Sequence, residues 1–214
     1  MRALPGTNLL MKLKKLMYAA GMNQIDFDGK FAAIKIHFGE PGNLSFLRPN
    51  FSKVVADTVK ELGGKPFLTD CNTMYPGSRK NALEHLECAW ENGFTPLTVG
   101  CPILIGDGLK GTDDVEVPVV GGEDVEKAKI GRAVMDADVF ISLTHFKGHE
   151  MTGFGGTIKN IGMGCGSRAG KKEQHASGKP QIDPKLCRGC TRCQKECANG
   201  GLVFDQESKK MTVD

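Results

Sequence analysis

The sequence predicts an α/β protein whose mainly parallel sheet is flanked by helices and followed by a small ferredoxin-like α+β segment. Two observations carry that reading. Short apolar runs alternate with stretches of helical periodicity through most of the chain, which is the order of a parallel sheet covered on both faces. Four cysteines then crowd into eleven positions near the carboxyl terminus. At 214 residues the chain can bury one ordinary core and carry a small appendage, and the expected units are residues 1–178 and 179–214.

The first element expected is a basic amphipathic helix over Leu9 to Ala20, with Met11, Leu13, Leu16 and Met17 set among Lys12, Lys14 and Lys15. After a turn at Asp28-Gly29, Phe31 to Phe38 reads as a largely apolar strand. Asn50 to Leu62 has helical periodicity, and Gly63-Gly64 stops it. Pro66 to Thr69 is a short strand, and Ser78 is placed to cap a helix that runs to Asn92. Pro102 to Ile105 and Val115 to Val120 read as strands between glycines, Glu123 to Asp136 as a helix with an acidic first turn, and Val139 to Leu143 as a buried strand. In such sheets ligands bind beyond the carboxyl ends of the strands.

Hydrophobic residues make up 40% of the chain and charged residues 25%, which excludes the disordered and collagen-like classes. The net charge is +3 and the basic residues are scattered, so no strip is present that would track a nucleic acid. No run approaches the roughly 20 apolar residues of a membrane span, and the amino-terminal helix lacks the apolar stretch of a signal peptide. A soluble cytoplasmic protein is expected, with neither nucleic acid nor membrane as partner. The cysteines fit metal-ligand spacing in a reducing compartment better than a disulfide scaffold.

Cys187, Cys190, Cys193 and Cys197 follow the bacterial ferredoxin spacing CxxCxxCxxxC, in which thiolates on one tight loop reach the corners of a 4Fe-4S cluster. Zinc, the alternative, usually takes two pairs of ligands with a longer stretch between them. Gly189 allows the loop to turn closely. Ala198 stands where proline usually follows the fourth cysteine, and Leu202 to Asp205 with Met211 to Val213 form the hairpin that leads into a second cysteine run. The sequence ends at Asp214 without that run and so reads as cut short. In two-cluster ferredoxins the fourth cysteine serves the other cluster.

Beyond Leu143 glycine, histidine and lysine dominate up to Ser177, with only weak helical signal, and Gly178-Lys179-Pro180 reads as a linker. His145, His149 and Lys159 are the candidate catalytic groups of this stretch, because imidazole and ammonium where a strand ends can transfer protons or hold a metal. Lys147, Gly153, Gly155, Gly156, Asn160 and Cys165 are the candidate cofactor-binding residues, since successive glycines let backbone N–H groups approach an anion. Asp70, Asn72 and Tyr75 lie at another strand end that can face the same cleft. Cys71, Cys88 and Cys101 read as small core residues, His85 and Trp90 as structural, and His37 as ambiguous. A second metal or a nucleotide in the cleft is left open.

The stretch from Val139 to His175, VFISLTHFKGHEMTGFGGTIKNIGMGCGSRAGKKEQH, followed by the cysteine run, resembles an uncharacterised family of iron–sulfur cluster-binding proteins in anaerobic bacteria and archaea. In that family a domain of unknown function precedes a ferredoxin-like domain, and members usually carry two cysteine runs. The resemblance implies a cluster and a redox partner protein but no established activity. A fainter likeness joins His149, Gly153-Phe154-Gly155-Gly156 and Lys159 to lactate-racemase-type enzymes, which bind a nickel-pincer nucleotide through a lysine. That likeness implies a cofactor anchor at Lys159 and a metal ligand or acid–base group at His149. Three functions therefore stand open: an iron–sulfur redox or electron-transfer protein, a racemase-type non-redox enzyme, and a metal-binding module without turnover.

Overall fold

A computed structural model of the chain describes residues 8–123, 125–175, 181–197 and 201–213. The expected linker at Gly178-Lys179-Pro180 and the departure at Ala198 lie outside the described residues. The basic surface helix is α1, Leu9–Ala19, capped by the Asn8 side chain accepting from Met11 N–H. It packs on α2, Pro49–Glu61, which has proline at its first turn, where the missing N–H costs nothing. Between them β1, Phe31–Lys35, ends earlier than its apolar run, although Ile36 and Phe38 stay buried. β2, Lys65–Asp70, follows α2.

The helix expected from Ser78 is shorter. α3 spans Ala82–Glu91, and its cap is Asn81, whose side chain accepts from both Leu83 and Glu84 N–H. An amide oxygen placed directly before the helical run wins over a serine three residues upstream. α4, Pro96–Val99, leads into β3, Ile103–Ile105.

The acidic stretch after Gly121-Gly122 differs more. Instead of one helix over Glu123 to Asp136, β4, Asp114–Pro118, pairs antiparallel with β5, Lys127–Gly131, and only α5, Arg132–Met135, is helical. The glycine pair closes a hairpin here, and ladder bonds from Val115 to Ile130 outweigh a helix-favouring first turn. β6, Val139–Ser142, is a strand as expected, but it is half-buried because it lies at the sheet edge. The glycine-rich stretch is more ordered than its composition suggests. It holds the hairpin β7, Lys147–His149, with β8, Gly153–Gly155, then α6, Thr157–Gly162, and α7, Arg168–His175.

The main sheet is wholly parallel, in the order β3-β2-β1-β6. β1 and β2 are buried at every position after the first, as central parallel strands must be. The core beneath α2, α3 and α4 gathers Phe27, Ile34, Phe38, Val55, Val59, Leu68, Phe94 and Val99, with Phe38 and Phe94 edge to face at 5.4 Å. From β1 the chain steps outward to β2 and β3 and then returns to the other side of β1 with β6, so the order reverses between β1 and β6. Open α/β sheets form their ligand crevice at that reversal, outside the carboxyl ends of the two strands.

The cysteine segment forms a small motif of one helix and one hairpin. α8, Arg192–Glu196, is followed by the antiparallel pair β9, Leu202–Asp205, and β10, Lys210–Val213.

Ile34 is fully buried in β1. Ile34→Ala should lower unfolding stability by about 2–5 kcal/mol in urea titrations, the range for truncating a buried aliphatic side chain.

Candidate functional site

β1 ends in a lysine inside an apolar run, and the structure buries it: Lys35 is 1% exposed. An ammonium there requires partners in place of water. It has two. Lys35 Nζ lies 2.9 Å from Asp70 Oδ1 at the end of β2, and donates to Asn160 Oδ1 on α6 at 2.7 Å. Because lysine only donates, Asn160 must present its oxygen to Lys35, which turns Nδ2 toward β6. Nδ2 donates to Ser142 Oγ at 3.0 Å and to Thr144 Oγ1 at 2.9 Å, and the two hydroxyls bond each other at 2.8 Å. Asn160 thus spans the crevice between β1 and β6.

Behind Lys35 lies a buried charge cluster. Burial alone would raise the Asp70 carboxyl, but Lys35 at 2.9 Å and Arg79 at 3.6 Å hold it below the usual carboxylate range. Arg79 is held in turn by Glu40, at 2.5 Å. His85 is fully buried. Asn72 spends its amide hydrogens on Asp107 and the Gly108 carbonyl, so Asn72 Oδ1 faces His85 Nδ1 at 3.3 Å and accepts its proton. His85 Nε2 is left as a lone pair 3.7 Å from Asp70 Oδ2, with no hydrogen bond among the described residues. Burial pushes the ring down to about 3. His37 sits exposed at the lip, its Nδ1 accepting Gly39 N–H at 2.9 Å.

Two more buried groups tie the glycine-rich stretch to the strand ends. Asp107 accepts from Asn72 N–H and from Arg168 N–H, each at 2.9 Å, and its burial raises the carboxyl. Lys171 on α7 donates to the carbonyls of Gly166 at 2.6 Å, Gly164 at 3.2 Å and Cys71 at 3.4 Å, and its burial lowers the ammonium. A Cβ at Gly131 would lie 2.6 Å from Cys71 Sγ and 2.8 Å from the Gly106 carbonyl, so only glycine lets β5 pass this close.

The expected site residues distribute unevenly around this frame. Asn160 is central. His149 and Lys159 meet at the edge of the crevice: His149 Nδ1 accepts the N–H groups of Met151 and Thr152 at 3.2 Å, and Nε2 is 2.8 Å from Lys159 Nζ. Gly153, with φ of 77°, bends the hairpin that carries His149, while Gly155 and Gly156 lead into α6 beneath Lys159 and Phe146. His145 and Lys147 are exposed on the same loop and hairpin. Cys165 is buried, with its thiol raised by that burial; its carbonyl accepts from Cys71 Sγ at 3.4 Å and from Gly131 N–H at 2.9 Å. Cys71, Cys88 and Cys101 are core residues as expected. Among the others, Asp70 and Asn72 belong to the cluster, Tyr75 bonds His175 at 2.9 Å, and Trp90 is half-exposed. Sequence pattern alone does not single out Lys35, Arg79, Asp107, Ser142 or Lys171. The one available signal was a lysine interrupting the apolar run FAAIKIHF.

In the cysteine segment Gly189 adopts φ of 67°, and a Cβ there would meet the Lys209 carbonyl at 2.4 Å. This close turn brings Cys187 Sγ under Met211 N–H at 3.3 Å; the Met211 and Gly189 amides lower the Cys187 thiol. Cys190 and Cys193 are exposed and Cys197 is half-buried. Among the described residues no three His, Cys, Asp or Glu side chains converge closely enough to hold a metal ion.

Residues 32–211 match the profile of DUF362, a family described as a domain of unknown function. The chain belongs to that family. The DUF362 match runs through the crevice and into the cysteine segment. A stretch of 128 residues, 58% of this chain, is 30% identical to the thylakoid-associated protein sll1697 of Synechocystis sp. (strain ATCC 27184 / PCC 6803 / Kazusa). That stretch is 35% of the relative's length, so the DUF362 chain spans only about a third of it. No solved structure matches. Among the described residues no helix is long and apolar enough to cross a membrane.

Two outcomes follow from the cluster. Removing one member of the Lys35–Asp70 pair strands a buried charge, so Lys35→Met should cost about 3–5 kcal/mol in urea unfolding. The double variant Lys35→Met/Asp70→Leu should recover much of that loss. His85 sets a second: between about pH 6.5 and 3 the unfolded chain binds a proton that the folded ring refuses, so stability is lost as pH falls through that window. His85→Gln should flatten this slope, leaving the loss at lower pH that comes from protonating Asp70.

Proposed function

We propose that this DUF362 chain is an iron–sulfur electron-transfer protein, in which the cysteine segment exchanges electrons with a redox partner protein and with a ligand or cofactor held in the β1/β6 crevice. The observation that carries the reading is the Cys187 turn. Cluster ligands are thiolates, and backbone N–H groups directed at sulfur stabilise a thiolate and tune a cluster's potential. Cys187 has such donors, on the loop whose spacing supplies Cys190, Cys193 and Cys197.

The donor chemistry, four thiols on one short segment, suits a 4Fe-4S cluster, whose assembly would bring these sulfurs together. The cluster would supply one-electron chemistry; Cys187, Cys190, Cys193 and Cys197 would hold it, the Met211 and Gly189 amides would stabilise the Cys187 thiolate, and the exposure of Cys190 and Cys193 would keep that end of the segment within reach of a partner. A small motif suits such exchange, because its metal centre stays within reach of a partner.

A second reading rests on the Lys159–His149 contact of 2.8 Å. An amine paired with an imidazole at the rim of a ligand crevice suits the racemase-type alternative, with Lys159 as cofactor anchor. Intact mass and nickel analysis separate the two readings: a covalent adduct on Lys159 with stoichiometric nickel and no iron would replace the electron-transfer function.

Anaerobic purification of the chain should yield iron and acid-labile sulfide, with a broad absorbance near ~400 nm that bleaches on adding dithionite. Cys187→Ser should remove most of that iron while leaving the circular dichroism of the α/β sheet unchanged. Protein that binds neither iron nor sulfide under these conditions would refute the assignment.

A further inference from the structure

We propose that the β1/β6 crevice binds a small oxyanion, a carboxylate or phosphate group, through the hydroxyls of Ser142 and Thr144. The inference deepens the crevice reading given above by naming the ligand's chemistry, and it follows from a count of hydrogens. Lys35 Nζ can only donate, so Asn160 Oδ1 is committed to it and Asn160 Nδ2 donates to the two hydroxyls at 3.0 and 2.9 Å, with the Lys35 carbonyl a longer third acceptor at 3.5 Å. Each hydroxyl oxygen therefore accepts from the amide. Two hydroxyl hydrogens remain, and one is spent in the 2.8 Å bond between Ser142 and Thr144. The other has no acceptor among the described residues. Both side chains are half-buried at the strand end, so that hydrogen faces whatever enters the crevice.

A spare donor selects an acceptor atom, and the surroundings select a negative one. Lys35 stands behind the amide and polarises it toward the hydroxyls. Lys147 on β7 and Lys159, next to Asn160 in sequence, are exposed, and neither is paired with a carboxylate among the described residues. Two surface depressions lie elsewhere. One, of about 290 Å³, is lined by Glu84, Glu87 and Glu91 beside α3, and the other, of about 380 Å³, lies on α1. Neither is lined by Ser142, Thr144 or Asn160, so the crevice is marked by its donors and not by enclosed volume.

The test uses the whole chain, labelled with ¹⁵N and titrated with sodium acetate and, separately, inorganic phosphate at constant ionic strength. Saturable shifts at the Ser142, Thr144 and Asn160 amides with one or both probes are expected, and which probe binds more tightly assigns the carboxylate or the phosphate. Tetramethylammonium should cause none. Asn160→Asp keeps the bond to Lys35 but replaces the amide donor by an acceptor, so both hydroxyls turn inward. It should weaken anion binding about 10–100-fold, the effect of losing a hydrogen bond to a charged group. Thr144→Val, which leaves the Lys35–Asn160 bond intact, should weaken it too. Absence of saturable shifts in the wild-type chain with either probe, or an Asn160→Asp variant that binds both as tightly as wild type, would overturn the proposal. Iron content is read on the same samples. Anion binding without iron would remove the electron-transfer function and keep this site; iron without anion binding would do the reverse.

Discussion

One buried ammonium organises the strand ends of this protein. Lys35 has left water entirely, and its charge is tolerated only because Asp70 balances it and Asn160 completes its hydrogen bonding. That requirement reaches outward. Asp70 must stay ionised, which Arg79, held in place by Glu40, favours, and Asn160 must hold one amide orientation, which sets the direction of the Ser142 and Thr144 hydroxyls. The fold places this arrangement where the strand order reverses, so a structural necessity of β1 also furnishes the crevice with directed donors.

The glycine-rich stretch serves that crevice as wall and rim. Lys171 and Asp107 pin its backbone to the ends of β2 and β3 through carbonyl and N–H groups, leaving the hairpin and α6 to carry His149 and Lys159 at the edge. Anchoring through backbone groups suits a stretch rich in glycine, which has few side chains to pack. The cysteine segment is built differently, around a close turn at Gly189 and a single short hairpin, and it offers sulfur at the surface where the crevice offers oxygen and nitrogen. Membership of DUF362 joins both parts in one family unit without assigning either a reaction.

Much of this was legible in the sequence where a pattern had one physical cause. Continuous apolar runs placed β1, β2 and β6, and helical periodicity closed by Gly63-Gly64 placed α2. The sequence misled where two local signals competed. Asn81 displaced Ser78 as a cap because its oxygen sits at the start of the helix, and the acidic stretch after Gly122 became β5 because cross-strand pairing with β4 is invisible to a one-dimensional pattern. Asn160 stands out in the sequence for its company of glycines, yet its importance comes from Lys35, 125 positions away. Lys35 itself is only one charged residue within the apolar run FAAIKIHF. Burial of a charge is a tertiary fact, and only Asp70 and Asn160 brought together in space make it permissible.

The most direct test of this account is the exchange behaviour of the Lys35 side chain, followed by ¹⁵N NMR of its ammonium at neutral pH. A buried ammonium held by Asp70 and Asn160 predicts a resonance protected from solvent and lost among the fast-exchanging lysines in Asp70→Asn. A Lys35 signal that exchanges in the wild-type chain as rapidly as those of surface lysines would contradict it.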